Sequence, residues 1–116
     1  EETIRTIFLE EKLPDILICL DQVSTTSACQ AVVDFNKVGD VEIIGCYSSN
    51  TILQAIDKKI LQATVAFDTQ EMGEACVSAF TEYWEKGHVS EYKPIAVNLI
   101  TKENVGEYIE HETNIQ

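Results

Sequence analysis

The run from Leu13 to Val33, LPDILICLDQVSTTSACQAVV, constrains the chain more than any other stretch, because three structural patterns follow one another in it without a gap. Ile16 to Leu20 is an unbroken apolar segment of strand length, as expected for a strand covered by helices on both faces of a parallel sheet. Pro14 marks its start. Asp21 comes next, then Ser24, Thr25, Thr26 and Ser27, whose oxygens suit the orphan amides at a helix N-terminus. Ala28, Val32 and Phe35 then keep one helical face apolar. Strand, polar turn and amphipathic helix in this order make half of an α/β crossover. Ligands of open α/β sheets bind beyond the carboxyl ends of strands, so Asp21 is either a helix cap or a ligand contact.

The alternation continues on both sides of this run. Upstream, Ile4, Ile7, Phe8 and Leu13 predict a helix over Thr3 to Lys12, with Glu10, Glu11 and Lys12 facing water. Downstream, Val38-Gly39-Asp40 is a break, and Val41 to Cys46 (VEIIGC) is a second strand. Ser48, Ser49 and Asn50 open a short helix whose buried stripe is Ile52, Ile56 and Ile60, with Leu53 beside it. Ala63 to Phe67 (ATVAF) is a third strand. Asp68 and Glu71 then stand at the spacing of a capping box. The helix they open carries Met72, Ala75, Cys76, Ala79, Phe80 and Tyr83 at core-facing intervals, with Trp84 broadening the stripe and Gly87 placed for a left-handed C-terminus. Ile95 to Ile100 is the last strand, and Glu103 to Glu110 a short terminal helix before a polar tail. The order α-β-α-β-α-β-α-β-α with short connections predicts an α/β fold: a doubly wound, mainly parallel sheet flanked by helices. The 116 residues suffice for one domain with a core and not for two.

Charge and motifs narrow the chemistry. A formal net charge of −12 repels nucleic acid and anionic membrane surfaces. No apolar run approaches the roughly 18 residues of a membrane span, and no leader resembling a secretory signal is present. The chain opens on Glu1 inside an expected helix, as a mature or cut fragment would. Cys19, Cys29, Cys46 and Cys76 have neither C-x-x-C spacing nor neighbouring histidines, so they read as small buried apolar residues rather than metal ligands, with a disulfide as the alternative that the composition does not require. The five glycines form no dinucleotide or phosphate-loop array, and His88 and His111 read as solvated side chains. These features point away from an enzyme and require no cofactor. Asp21, Tyr47 in Cys46-Tyr47-Ser48, and Phe67 in Phe67-Asp68 each follow or end a strand. A rim with an acid, hydroxyls and two aromatic rings suits a small polar solute such as a sugar; the other reading of Tyr47 and Phe67 is ordinary packing.

At these residues the sequence resembles the type 1 periplasmic-binding fold, the ribose-binding-like sugar-binding proteins and the effector domains of LacI-type repressors. PDILICLDQVSTTSACQAV is similar to the family's strand ending in Asn or Asp before a helix. VEIIGCYSSNTILQAIDKKILQATVAFDTQEMGEACVSAF follows the family pattern nearly position by position, and IAVNLITKENV resembles its closing segment. The resemblance implies two lobes that trap solute between them, with residues 1–116 as part of the carboxyl-terminal lobe. Carried over by position, Asp21 matches a polar ligand contact, Tyr47 the family's acidic contact and Phe67 a Gln or similar contact near the hinge. Tyr47 and Phe67 depart from that pattern, which favours a less polar or differently shaped solute than a simple pentose or hexose.

The resemblance further implies non-catalytic binding of a sugar-like solute, with a membrane permease or sensor subunit as partner and a periplasmic or extracellular, lipid-anchored or free, location. The alternative is the effector domain of a LacI-type regulator in the cytoplasm, and a third reading is a small enzyme of flavodoxin-like topology. An upstream signal peptide or an upstream DNA-binding helix pair separates the first two. In the family the strand Asp15 to Leu20 is paired on its outer side, so here it is expected to expose an apolar edge that favours a homodimer. Light scattering is expected to show self-association that grows with concentration; a monomer of 13.0 kDa at all concentrations contradicts it.

Overall fold

The computed structural model describes residues 2–113, and side-chain surroundings to residue 109. The elements are α1 (Glu2–Leu9), β1 (Ile16–Ile18), α2 (Gln22–Asp34), β2 (Glu42–Cys46), α3 (Asn50–Asp57), β3 (Ala63–Phe67), α4 (Thr69–Lys86), β4 (Val97–Thr101) and α5 (Val105–Thr113). The expected order holds throughout, with the last strand starting two residues later than expected. Glu110 and His111 in the terminal helix lie outside the residues with described side chains, and the tail after residue 113 lies outside the described residues. Two compact units form: one runs to residue 66 and resumes at 99, and the other is Phe67–Asn98.

In the first unit β1 pairs parallel to β2, with Ile18 beside Ile44, and β2 pairs parallel to β3, with Gly45 beside Thr64. The sheet order is β1-β2-β3-β4. Ala96, just before β4, accepts a hydrogen bond from the amide of Asp68, just after β3, so β4 runs against β3 and the sheet is mixed. Two crossovers stepping the same way put α2 and α3 on one face, where they touch each other, as expected when parallel crossovers share one hand. That face holds the core: Ala28 and Val32 from α2, Ile43 from β2, Ile52 and Ile56 from α3, Ile100 from β4 and Val105 from α5 are all 2% exposed or less. Phe8 of α1 stacks on Phe35 with ring centroids 5.8 Å apart, which closes α1 over the end of α2.

Three expectations need correction. The strand expected over Ile16 to Leu20 is only three residues long and is not covered on both faces: Ile16 is 52% exposed, Ile18 63% and Leu20 80%. The cause is position, since β1 is the sheet's edge and the crossovers from it lead to one side. The stripe on α4 was expected to face a core, yet none of its residues is buried, and Phe80 and Trp84 stack on each other in the open with centroids 6.3 Å apart. Its periodicity marks a face fit for covering, but the small unit Phe67–Asn98 contains no second helix to cover it. Cys76, on this helix, is accordingly exposed, whereas Cys19 and Cys29 are buried and Cys46 is half-buried; all four are free thiols.

Local signals held better. Gly87 ends α4 at φ +74°, the left-handed conformation that favours glycine. Asp68 caps α4 by accepting from the Glu71 amide at 2.9 Å. The reciprocal half of the capping box is diverted: the Glu71 carboxylate accepts from the amide of Ala96 at 2.8 Å instead. In the same unit, Lys93 and then Ser90 hold the Glu82 carboxyl down to about 2.

Gly45 carries the closest packing in the first unit. A Cβ there would lie 2.2 Å from Cγ2 of Thr25, a rigid β-branched side chain that is fully buried. Gly73, within α4, has no such neighbour within 4 Å. Gly45→Ala is therefore expected to cost about 1–3 kcal/mol in urea unfolding through overpacking. Gly73→Ala is expected to gain about 0.5–1 kcal/mol from helix propensity; equal effects would contradict this packing.

Candidate functional site

The parallel strands β1 and β2 end side by side, and each hands over to a turn that carries one of the expected residues. Asp21 follows β1 and is the N-cap of α2: its backbone is extended and its Oδ1 accepts from the Ser24 amide at 2.7 Å. Its carbonyl accepts from the Thr25 hydroxyl at 2.7 Å and from the Thr25 amide at 3.1 Å. The side chain stays exposed. Donation by the Ser24 amide, and then by the Ser24 hydroxyl, lowers the Asp21 carboxyl below its usual range, so it is an anion at neutral pH. The cap and ligand readings are thus compatible: the carboxylate that caps α2 still faces solvent.

Tyr47 follows β2 and is 41% exposed. Its φ is +75°, in the left-handed region, which for a residue with a bulky side chain costs on the order of 1–3 kcal/mol unless its surroundings hold it. They do. Its amide donates to the Val65 carbonyl at 2.8 Å, and its own carbonyl accepts from the Thr64 hydroxyl at 2.7 Å. One residue upstream, the Cys46 amide donates to Thr25 Oγ1 at 3.1 Å. Ser49, the N-cap of α3, makes no side-chain cap bond, and its hydroxyl is buried without a partner.

Phe67 ends β3 and is half-buried. It opens the second unit, so the structure brings only Asp21 and Tyr47 together at neighbouring strand ends within one unit. Thr64 was not singled out by sequence, and Thr25 only as one of several capping hydroxyls, although both are completely buried and bond to the backbone of these strand ends. The glycine in the middle of strand β2 was the available signal, since such a glycine marks a close approach.

Other chemistry is poorly served. Burial raises the Cys19 thiol and pushes Cys29 up to about 11, which keeps both protonated and unreactive at neutral pH. Among the described residues no group of three or more His, Cys, Asp or Glu is placed to share a metal ion. No described helix is long and apolar enough to cross a membrane. A shallow cleft lined by Ile56, Lys59, Leu61, Gln62 and Lys102 lies at the start of β3, the opposite edge from the strand ends, and the Lys102 amine in it is already paired with Asp57.

No protein-family model matches the chain, and no curated protein matches it. Solved structures do. The XylFII–LytSN complex is similar at 26% identity and a TM-score of 0.76, over 88% of this chain and 36% of that one. GanP, a glucose-galactose binding protein from Geobacillus stearothermophilus, is similar at 19% identity and a TM-score of 0.82, over 89% of this chain and 37% of that one. An ABC transporter solute binding protein from Agrobacterium vitis, solved with bound D-fucose, is similar at 19% identity and a TM-score of 0.80, over 94% and 38%. The chain thus has the periplasmic-binding-protein fold and makes up an incomplete lobe of it, spanning less than two fifths of these three structures.

The lowered Asp21 carboxyl has a pH signature. A native carboxyl lowered below its unfolded value of about 3.8 contributes stability above that value and loses it as pH falls through the native one. Urea midpoints measured from neutral pH into acid are expected to fall more steeply for the wild type than for Asp21→Asn, which keeps a capping oxygen without the charge. Parallel curves would contradict the assignment.

Proposed function

We propose that this chain supplies one wall of a site for a small polar solute, a sugar or a sugar-like molecule, in a non-catalytic solute-binding protein. The observation that carries the reading is the juxtaposition of an ionised carboxylate, Asp21, and a part-exposed aromatic residue, Tyr47, at the ends of neighbouring parallel strands. The carboxylate accepts hydrogen bonds from solute hydroxyls, and the tyrosine offers a ring face and a phenolic hydroxyl. Phe67, at the end of the next strand, is the third proposed contact. The fold supports this, because the proteins it resembles include one named for glucose and galactose and one solved with D-fucose.

In this reading residues 1–116 belong to a carboxyl-terminal lobe, and the solute is held between that lobe and another. The protein acts outside the cytoplasm and hands its solute state to a permease or a sensor subunit. The similarity to XylFII, solved in complex with LytSN, supports a polypeptide partner of this kind. The exposed Ile16 and Ile18 on the edge strand give the chain by itself a route to an edge-paired dimer.

A thermal-shift panel of sugars, polyols and nucleosides, run on the complete gene product that carries this chain, tests the reading. A solute at a hundred times its Kd stabilises the native state by about 2.7 kcal/mol. One chemical class is expected to raise the melting temperature, and Asp21→Ala to abolish that rise. No rise with any member overturns the proposal.

A further inference from the structure

We infer that Thr25 and Thr64 are positioning residues for the proposed solute site: two buried hydroxyls that fix the backbone from which Asp21 and Tyr47 project. The inference rests on the solute-binding reading of those two residues and adds the groups that hold them.

Neither threonine meets solvent. Thr25 Oγ1 donates its one proton to the Asp21 carbonyl at 2.7 Å and accepts from the Cys46 amide at 3.1 Å. One oxygen therefore ties the turn after β1 to the end of β2, and so sets the spacing of the two strand ends. Thr64 donates to the Tyr47 carbonyl at 2.7 Å, while the Tyr47 amide is held by Val65, the next residue along β3. Both peptide groups flanking the Tyr47 Cα are thus bonded to the same strand, with φ at +75° between them. A tyrosine left to itself leaves that region, so the direction of its side chain depends on the clamp.

Gly45 makes the arrangement possible. Thr64 is its register partner on β3, and Thr25 comes over it from α2 into the space a Cβ would fill. The two threonines approach one glycine from a strand and a helix, and their hydroxyls serve the two residues after it. Core filling alone would be met as well by valine, which has nearly the same shape. The hydroxyls are what tie β1 to β2 and β2 to β3 at the rim.

The experiment compares Thr64→Val with Thr64→Ser in the isotopically labelled chain, reading the Tyr47 φ by NMR. Thr64→Ser is expected to keep φ positive, and Thr64→Val to release Tyr47 to negative φ. A Thr64→Val protein that melts lower but keeps Tyr47 at positive φ overturns the inference, because a merely structural role moves stability and not this angle. If Thr64→Val does not fold, amide exchange at Tyr47 decides: on the order of tenfold faster in Thr64→Ala than in Thr64→Ser is expected, and equal rates overturn the inference. These readings need no ligand. Failure of the sugar panel on the wild type sinks the site itself, whereas an unmoved Tyr47 sinks only the positioning role. For a sugar that the wild type binds, affinity is expected to weaken about tenfold in Thr64→Val and to stay near wild type in Thr64→Ser; unchanged affinity in Thr64→Val overturns the inference.

Discussion

Burial of one face of a short parallel ladder beneath α2 and α3 is the constraint on which the first unit depends. Ile43 on β2 and Ile52 and Ile56 on α3 are fully excluded from water, and the crossovers that bring the helices there also define where β1 and β2 stop. Each buried aliphatic side chain of this kind contributes on the order of 1.5–3 kcal/mol. The proposed contacts Asp21 and Tyr47 contribute little to that burial. They sit at its margin, where strand becomes turn, and inherit their positions from it.

The same constraint explains the asymmetry of the apolar surface. A parallel sheet built in sequential order gathers its crossovers on one face, so Ile16 and Ile18 on the edge strand find no cover. In the second unit, α4 carries Phe80 and Trp84 in the open. Apolar side chains of this size left exposed are the mark of surfaces made to be covered.

Element order was legible because it rests on local chemistry. The cap at Asp21, the cap at Asp68 and the left-handed stop at Gly87 each act within a few residues, and each appears where the sequence puts it. What depends on distant partners was not legible. The α4 stripe has the spacing of a core helix, but burial requires a neighbour that spacing does not supply. The capping box at Asp68 was half right for the same reason: Glu71 found the Ala96 amide, 25 residues away, a better partner than its own helix start. Asp21 and Tyr47 could be placed at strand ends from sequence, whereas the positive φ of Tyr47 could not, since nothing in a tyrosine favours it. It follows from Thr64 and Val65, which sequence separates from it by a whole helix.

In the function proposed above, solute meets the chain at the strand ends around Asp21 and Tyr47. The most direct test is an NMR titration of the labelled chain with the sugar that raises its melting temperature, following every backbone amide. Shift changes are expected to concentrate at the turns after β1 and β2, residues 19–25 and 45–49. Changes centred instead on Ile56, Lys59 and Lys102, at the opposite edge of the sheet, would contradict the proposal.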